Sequence, residues 1–370
     1  MFESSPYIAS PIVPTGGLGA TDIAVVILNY NGKNFLQQFL PSVLAHSGEA
    51  AVYVADNAST DDSIALLANT FPEVRVIQLL ENHGFAQGYN EALAQLEGQF
   101  KYYVLLNSDV EVTPNWLGPI RELMEADEQI AACQSKMLDF NQRTHFEYAG
   151  AAGGFIDYLG YPFCRGRLFV NLEEDHGQYN DTTEVFWACG ACMFVRAEVF
   201  HQLDGFDGDF FAHMEELDLC WRMKNAGYKV FTCGESVIYH VGGGTLHKSN
   251  PHKTFLNFRN GLALLYKNHP RQDLYLNLLK RLILDGVAGV KFLLFDSPLD
   301  CWAVIRAHFN FYLHFWSWRR KRLALLAQRR AITHPEVYAQ SIVKQSFLLK
   351  KHKFSELNWK PQQEVLETIS

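Results

Sequence analysis

Small polar and acidic residues follow three short apolar runs in the first third of the chain. They are Asn29, Tyr30 and Asn31, then Asp56 and Asn57, and then Asn107, Ser108 and Asp109. Open parallel sheets bind ligands just beyond the carboxyl ends of their strands, which is where these groups would lie. Any one of them alone is more often a turn former or a helix cap. Three such groups in register predict a common ligand-binding crevice.

The elements that would position these groups alternate between strand and helix. The run IAVVILN, from Ile23 to Asn29, is short, apolar and β-branched, and a polar turn then leads into FLQQFLPSVLAH, which has helical spacing. AVYVAD, VRVIQLL and YYVLLN give three more strands, and DDSIALLANTF and NEALAQL give helices between them. Such alternation predicts an α/β fold with a mostly parallel sheet covered on both faces.

Two common ways of binding a nucleotide are missing from this pattern. The first strand is followed by NYNGKN, not by G-x-G-x-x-G, and the glycines at Gly16 to Gly19 precede the strand. A Walker loop is also missing, and a sugar nucleotidyltransferase would need a Gly-rich basic loop where only Lys33 is present. A nucleotide would therefore have to be held by side-chain carboxylates and a metal ion.

Composition limits the class of protein and the compartment. The 370 residues are 48% hydrophobic and 19% charged, which indicates roughly two domains with a sizeable core. Seven cysteines form an odd set, and the first residues lack the basic and apolar regions of a secretory signal, so we expect a reducing cytoplasm. Cys189 and Cys192 have no second Cys or His pair at a zinc-site spacing, so packing is their favoured interpretation.

Charge divides the chain into two parts. Residues 1–253 carry 14 basic and 32 acidic side chains, whereas residues 254–370 carry 18 and 8. The basic part interleaves Arg and Lys with aromatic and aliphatic residues in helical segments, and no apolar run reaches the roughly 18 residues of a membrane span. Such helices favour an anionic membrane surface, with packing on the preceding domain as the alternative. No nucleic-acid motif accompanies the basic run at residues 319–322, so nucleic acid is not expected as a partner.

Six blocks in a fixed order resemble the family 2 glycosyltransferases of GT-A fold, in particular their bacterial rhamnosyltransferase-like branch. The blocks lie between about Ile23 and Leu246 and are VVILNYNG, VADNASTDDS, ENHGFAQGYNEAL, YYVLLNSDVEVTPNWL, the segment from GACMF to MKNAGY, and IYHVGGGT. The resemblance implies a nucleotide-sugar donor, a divalent metal on its diphosphate, and inversion at the anomeric carbon. A region of amphipathic helices would follow the GT-A domain.

Carried over by position, the resemblance implies a set of donor-binding residues. The set comprises Asn29, Tyr30, Asn31, Asp56, Asn57, Asn82, Gly84, Asn90, Asn107, Ser108 and Asp109. The Asp-x-Asp motif of the family becomes Asn107, Ser108 and Asp109, so one of its two carboxylates is an amide here. Asp109 and His240 would hold the metal, either Mg²⁺ or Mn²⁺.

The resemblance also implies a catalytic carboxylate in the acidic cluster from Glu215 to Asp218. Glu216 would be the general base, with Glu215 as the substitute, although acidic residues at a helix start also complement the macrodipole without any catalysis. Trp187 and Gly190 would lie on the acceptor side. Asp218 and Arg222 would touch acceptor or diphosphate, or pair with each other four residues apart on the helix.

These inferences predict an inverting, metal-dependent glycosyltransferase of surface polysaccharide synthesis. We expect rhamnose or another hexose as the donor sugar and a glycan or lipid-linked acceptor at the inner face of the cytoplasmic membrane. A non-catalytic, membrane-associated sugar-binding or scaffolding protein of the same fold is the alternative. The predicted domains are a flexible tail (1–21), a GT-A domain (22–253, divided near residue 115 into donor and acceptor halves) and basic helices (254–370).

Overall fold

The computed structural model of the chain describes residues 21–242, 250–330 and 333–359. The predicted flexible tail, apart from Thr21, lies outside the described residues, as do the glycines after Gly242 in the sixth block of the resemblance. The predicted domain boundaries stay predictions.

The first third of the chain alternates strand and helix as predicted. Its elements are β1 (Ile23–Asn29), α1 (Lys33–His46), β2 (Ala51–Asp56), α2 (Ser63–Thr70), β3 (Arg75–Gln78), α3 (Gly84–Ala94) and β4 (Tyr102–Asn107). The strands pair in parallel, β4 beside β1, β1 beside β2 and β2 beside β3. Strands β1, β2 and β4 are almost wholly buried, which explains their continuous apolar runs.

The middle of the chain adds antiparallel strands and three helices. Its elements are β5 (Val110–Val112), α4 (Gly118–Ala126), β6 (Ile130–Asp139), β7 (Gly154–Asp157), β8 (Pro162–Cys164), β9 (Arg167–Leu168), β10 (Asn171–Leu172), β11 (Thr182–Glu184), β12 (Cys192–Arg196), α5 (Ala197–Gln202), α6 (Glu215–Asn225) and β13 (Lys229–His240). The main sheet has the order β11-β13-β6-β12-β4-β1-β2-β3, with β5 beside β13. Strand β12 is antiparallel to both of its neighbours, so the sheet is mixed where the second half joins the first.

The last part of the chain is mainly helical. It consists of α7 (Pro251–Asn268), α8 (Leu274–Phe295), α9 (Pro298–Leu313), α10 (Phe315–Gln328) and the short strand β14 (Val337–Tyr338). No helix in the described ranges is long and apolar enough to cross a membrane.

A second, smaller sheet was not predicted from the sequence. It has the order β10-β9-β8-β7-β14, so the end of the chain returns to complete a sheet begun about 180 residues earlier. Phe354 and Trp359 pack there on Phe155 and Phe163, with ring centroids 5.2–6.2 Å apart. This aromatic cluster joins the C-terminal region to the central domain, in addition to the helices.

Candidate active site

The three polar clusters predicted at strand ends lie along one edge of the main sheet. In the strand register, Asn29 of β1 is opposite Asp56 of β2, and Leu28 is opposite Asn107 of β4. Because these strands are parallel, their carboxyl ends open into the same crevice.

Asp56 is fixed by its neighbours at the floor of this crevice. Its carboxylate accepts hydrogen bonds from Asn29 Nδ2 at 3.0 Å and from the backbone N–H of Ser59 at 3.0 Å, and its side chain is buried. Asn29 Nδ2 also donates to Ser59 Oγ at 3.1 Å, while Asn29 Oδ1 is buried without a partner among the described residues. The network holds the Asp56 carboxylate in one orientation and leaves an unused acceptor beside it.

The two residues that follow Asn29 differ from each other. Asn31 has a left-handed backbone (φ 51°), and its side-chain oxygen accepts from the backbone N–H groups of Thr60 and Asp61 at 2.7 and 3.2 Å. Tyr30 is 43% exposed at the crevice edge. Asn31 therefore makes the contacts of a turn-forming residue, which was the alternative to ligand binding. The Tyr30 ring, in contrast, is free to contact a ligand.

A second amide network closes the neighbouring part of the crevice. Asn57 Nδ2 donates to Asn82 Oδ1 and to the carbonyl of Gly84, both at 3.0 Å. Gly84 has φ 73°, and a β-carbon there would collide with the Phe211 ring. The contacts hold the loop that contains Asn82 and the start of α3 against the end of β2, and donor binding by Asn82 and Gly84 stays a prediction.

Asn90 contacts another loop. Its amide donates to the carbonyl of Phe206 at 2.8 Å and accepts from the Phe206 N–H at 2.9 Å. Both polar ends of the side chain are thus used to hold α3 to the loop that follows α5, which is a positioning contact and not an open donor-binding group.

Asp109 and His240 come together across 131 residues because β5 pairs with the end of β13. Asp109 Oδ1 lies 3.2 Å from His240 Nε2, and Asn107 Nδ2 lies 3.4 Å from the same nitrogen. The geometry directs a carboxylate oxygen, an amide and an imidazole nitrogen to one point at the end of β4.

Glu147 completes this group and was missed from the sequence. Its Oε1 is 3.3 Å from His240 Nδ1, on the opposite side of the imidazole from Asp109, and Oε2 accepts from the Ala149 N–H at 2.6 Å. The carboxylate is almost wholly buried. No spacing pattern marks Glu147, because it lies in the irregular segment between β6 and β7.

Electrostatics reinforce the Asp109, His240 and Glu147 group. Burial alone would lower the pKa of His240, but the two carboxylates raise it to about 10. Burial likewise opposes ionisation of Asp109 and Glu147, and His240 nevertheless lowers the pKa of both. Both carboxylates are therefore ionised at neutral pH.

These residues fit a divalent cation that is shared with a phosphate ligand. Among the described residues, no group of three or more His, Cys, Asp or Glu side chains is arranged to hold a metal by itself. Asp109 and, once the cation has displaced its proton, the Nε2 atom of His240 would supply two ligands, and Mg²⁺ or Mn²⁺ in nucleotide sites takes the remaining ligands from phosphate and water. Glu147 would orient the histidine from behind, as carboxylates commonly do for metal-bound imidazole.

The acidic cluster begins α6 directly after a strained loop. Phe211, His213 and Met214 all have positive φ, between 64° and 72°. Glu215 is buried and Glu216 is partly exposed, and each has one buried carboxylate oxygen without a hydrogen-bond partner in the described part of the chain. Such strained backbone requires support from its surroundings.

That support comes from two sides. On one side, the N–H groups of Phe85 and Ala86, at the start of α3, donate to the Phe211 carbonyl at 2.9 and 3.1 Å. On the other, the side-chain amide of Asn260 in α7 donates to the carbonyls of Phe210, Ala212 and His213 at 2.7–3.0 Å. Asn260 is fully buried and was not singled out from the sequence.

Burial has a direct effect on the two glutamates. It raises the pKa of Glu216 to about 7, against backbone N–H groups that lower it. For Glu215, burial and then the neighbouring charge of Glu216 raise the pKa well above its ordinary value. A carboxylate with a pKa near 7 and a free oxygen has the properties of a general base.

The loop from Cys189 to Ala191 links the glutamates to the strand ends. A β-carbon on Gly190 would lie 3.9 Å from Glu216 Cβ, and the Ala191 carbonyl accepts from the Asn107 N–H at 3.0 Å. The loop that contains Gly190 therefore lies between Glu216 and Asn107. The thiol of Cys189 is buried, and its pKa is raised by burial and then by the charges of Glu216 and Glu147.

Trp187 is buried instead of lining an open acceptor site. Its indole N–H donates to the Phe155 carbonyl at 3.0 Å, and its ring leaves no room for a β-carbon on Gly154. The expectation that this ring stacks on a sugar therefore does not agree with its position, since both ring faces lie within the core.

Asp218 and Arg222 have the ion-pair arrangement that their spacing allowed. Arg222 Nε donates to Asp218 at 2.9 Å, and the other guanidinium nitrogens donate to the carbonyls of Leu203 and Gly205. Asp218 also pairs with Lys267 at 2.9 Å and is fully buried. These contacts hold α6 in place, and the pair is not directed at the crevice.

Comparison with solved structures identifies the fold. The S. aureus TarS fragment 1–349, in complex with UDP-GlcNAc, superposes with a TM-score of 0.53 at 14% identity over 79% of this chain and 80% of that one. The mannosyltransferase PcManGT from Pyrobaculum calidifontis, in complex with GDP-Man and Mn²⁺, has a TM-score of 0.50 at 16% identity over 88% and 89%. The fold is therefore the GT-A fold of glycosyltransferases, as predicted.

The sequence comparisons identify the family. The glycosyl transferase family 2 model matches residues 24–204. An N-acetylglucosaminyl-diphospho-decaprenol L-rhamnosyltransferase of Mycobacterium tuberculosis is 27% identical over 245 residues, which cover 61% of this chain and 78% of the relative. The Escherichia coli rhamnosyltransferase WbbL is 22% identical over 215 residues, or 56% and 79% of the two chains. Residues 24–204 therefore match the family 2 glycosyltransferases, which confirms the resemblance.

Proposed function

We propose that this protein transfers a hexose, with rhamnose as the leading candidate, from a nucleotide-sugar donor to a hydroxyl of a glycan or lipid-linked acceptor in surface polysaccharide synthesis. One observation carries the catalytic part of the proposal. Glu216 is a partly exposed residue whose carboxyl group has a pKa of about 7 and a buried oxygen without a partner among the described residues, and it lies one loop away from the strand-end crevice.

The proposed reaction inverts the configuration at the anomeric carbon. Glu216 accepts the proton of the acceptor hydroxyl as its oxygen forms a bond to that carbon, and the bond to the diphosphate oxygen breaks on the opposite face. The electron pair of the broken bond leaves with the nucleoside diphosphate. Glu215 is more deeply buried, and burial together with the charge of Glu216 raises its pKa well above the ordinary value, which favours its protonated form beside the ionised base.

The donor end of the site is assigned to the strand edge. Asp56, held by Asn29 and Ser59, would bind the base or ribose, and Tyr30 would line the same pocket. Asp109 and His240 would hold a divalent metal, which supplies positive charge to the departing diphosphate. The Mn²⁺ bound together with GDP-Man in PcManGT supports this assignment, as does the geometry of the two side chains.

The sugar and the acceptor are inferred from the relatives. The Mycobacterium tuberculosis protein is named for rhamnosyl transfer to an N-acetylglucosaminyl-diphospho-decaprenol, and WbbL is also named as a rhamnosyltransferase. A polyprenyl-diphosphate glycan is therefore the first acceptor to test. Such an acceptor would place this protein at the cytoplasmic face of the membrane.

The test is transfer or hydrolysis over a panel of nucleotide sugars with Mg²⁺, Mn²⁺ or a chelator. We expect turnover of one donor that requires the metal, and a decrease in kcat of about 10²–10⁴-fold in Glu216→Gln. Asp109→Ala should lose metal dependence together with activity. Glu97→Gln, which makes the same change at an exposed glutamate, is the control.

Three outcomes would contradict the proposal or one part of it. Nucleotide binding without turnover of any donor, in the presence of lipid-linked acceptors, would favour the scaffolding alternative. Full activity of Glu216→Gln would assign the base function to Glu215 or another group. Retention of the anomeric configuration in the product, determined by NMR, would contradict inversion.

A further inference from the structure

Helix α8 has its apolar and polar sides reversed relative to a helix of a soluble domain. Its buried side carries Asn277, Arg281 and Asp285. Its exposed side carries an apolar stripe in which each side chain is 51–66% exposed, formed by Leu276, Leu279, Ile283, Val287, Val290 and Leu294. The spacing of three and four residues keeps this stripe on one face of the helix.

A buried polar network fixes this orientation. Asp285 accepts hydrogen bonds from Tyr161 at 2.8 Å and Arg281 at 3.3 Å, and lies 3.0 Å from His308 of α9. Arg281 also donates to the Leu159 carbonyl at 3.0 Å. Rotation of α8 to bury its apolar stripe would break these contacts and leave a buried charge unpaired, so the stripe stays outside.

Helices α9 and α10 continue the apolar surface. Leu299, Trp302, Ile305, Phe309, Tyr312 and Trp316 are 53–72% exposed and again repeat at three and four residues. The six residues of α8 and these six together are called the outer apolar face. The opposite side of α9, with Ala303 and Ala307, packs on Phe255 and Leu256 of α7, and Ala212 of the loop before α6 packs on the same cluster.

The charges around this face are mainly positive. From Leu274 to Gln328 the chain has eight basic and three acidic residues, of which Arg281, Arg322 and Asp285 are buried, so that six basic and two acidic side chains remain outside the core. Lys291, Arg306, Arg319 and Arg320 are exposed on the same helices. Two copies of this chain joined through the face would bring these like charges together, whereas anionic headgroups would complement them.

We propose that the outer apolar face lies in the interfacial layer of an anionic lipid bilayer. The apolar stripes enter the boundary between headgroups and acyl chains, Trp302 and Trp316 lie at headgroup depth, and the arginines contact lipid phosphates. Because the apolar stripe of α8 is opposite a buried polar side, the helix would lie in the plane of the bilayer surface. The inference depends on the face alone and does not require the proposed sugar transfer.

This arrangement has a consequence for the active site. Since Ala212 packs on the inner side of the α7 and α9 pair, the loop that precedes Glu216 lies about one helix layer from the bilayer. An acceptor whose lipid remains in the membrane could then reach the crevice with its sugar end.

The experiment is flotation of the full chain with vesicles of phosphatidylglycerol and phosphatidylcholine, compared with phosphatidylcholine alone. The test variant combines Trp302→Asp and Phe309→Asp. The control combines Leu80→Asp and Val170→Asp, which make the same kind of change at apolar side chains 96% and 80% exposed elsewhere on the surface. Circular dichroism and nucleotide binding report whether each variant is folded.

We expect the wild-type and control proteins to float with the anionic vesicles. The Trp302 and Phe309 variant should partition to these vesicles at least about tenfold more weakly, and so should the wild-type protein to neutral vesicles. Equal flotation of the folded test variant would overturn the proposal. So would a wild-type protein that binds neither vesicle but sediments as a dimer that the test variant dissociates, because the face would then be an interface between two copies. Loss of sugar transfer with intact flotation would count against the proposed function alone.

Discussion

Glu216 combines burial with an oxygen that has no hydrogen-bond partner in the described part of the chain. Water and cations normally stabilise the charged form of a carboxylate, and their exclusion raises the pKa of Glu216 to about 7. The groups around Glu216 supply no compensating positive charge. They are Glu215 and the thiols of Cys164, Cys189 and Cys220. The side chain can therefore exchange a proton close to neutral pH.

This raised pKa predicts the pH dependence of the reaction. A general base works only when ionised, so kcat/KM should decrease about tenfold for each pH unit below 7 and level off above it. The measurement is kcat/KM between about pH 5.5 and 8.5, with Glu97→Gln as the control. A profile that stays flat down to about pH 5 would mean that the proton goes to a group other than Glu216.

The contact between Glu147 and His240 predicts that replacement of Glu147 weakens metal binding, an effect that is separate from catalysis. Glu147→Gln keeps the size of the side chain but removes the charge that orients His240 through Nδ1. We expect the affinity for Mn²⁺, measured by calorimetry in the presence of a nucleoside diphosphate, to decrease by about 10–100-fold. Glu173→Gln, a buried glutamate that contacts Tyr179 instead of His240, is the control. Unchanged Mn²⁺ affinity in Glu147→Gln would limit Glu147 to a packing function.

At the scale of elements, the loop before α6 depends on a helix from another part of the chain. The positive φ values of Phe211, His213 and Met214 are unfavourable for residues that carry a β-carbon, so the loop needs contacts from outside to hold its shape. Asn260 of α7 supplies them by binding three of the carbonyls there. The first C-terminal helix thus supports the loop of the candidate active site.

Replacement of Asn260 should disturb catalysis more than binding. In Asn260→Leu the three carbonyls lose their donor, and the glutamates shift relative to the crevice, so we expect kcat to decrease by about 10–100-fold while KM for the donor changes little. Asn257→Leu makes the same change on the same helix at a half-buried position and should retain activity. A parallel increase in KM with unchanged kcat would contradict the positioning function.

At the scale of the whole molecule, a buried ion-pair network joins the C-terminal helices to the GT-A domain. Lys267 of α7 pairs with Asp218 of α6 at 2.9 Å and with Asp207, which also pairs with Lys321 of α10. Burial would raise the pKa of both carboxylates, but the lysines lower it on balance, so the network is charged at neutral pH. The two parts of the chain are therefore expected to unfold together.

Removal of the positive charge of Lys267 should destabilise the whole chain. Lys267→Met leaves two buried carboxylates without their shared partner, and we expect the free energy of unfolding to decrease by about 3–5 kcal/mol in urea titrations. Lys291→Met, which breaks the exposed pair with Asp296, should cost at most about 1 kcal/mol. Equal effects of the two changes would show that the buried network adds no stability beyond that of a surface pair.

The parts of the fold that depend on local pattern were predictable from the sequence. Continuous apolar runs predicted β1, β2 and β4 because strands covered on both faces have no polar side. The grouping of Asn29, Asp56 and Asp109 followed from parallel pairing, since parallel strands place their carboxyl ends at the same edge of a sheet. Glu216 and His240, in contrast, were assigned through the resemblance to a family.

The remaining features required the tertiary structure. Glu147 contacts His240 across 93 residues of sequence, and Asn260 contacts the strained loop across about 50. No local pattern encodes contacts between residues so far apart in the sequence. For α8 the sequence by itself determined that one side is apolar and that the region is basic. Only the tertiary structure decided that the apolar side faces outward, because the direction of a helix face is set by the partners of its other side, here Asp285 with Tyr161 and His308.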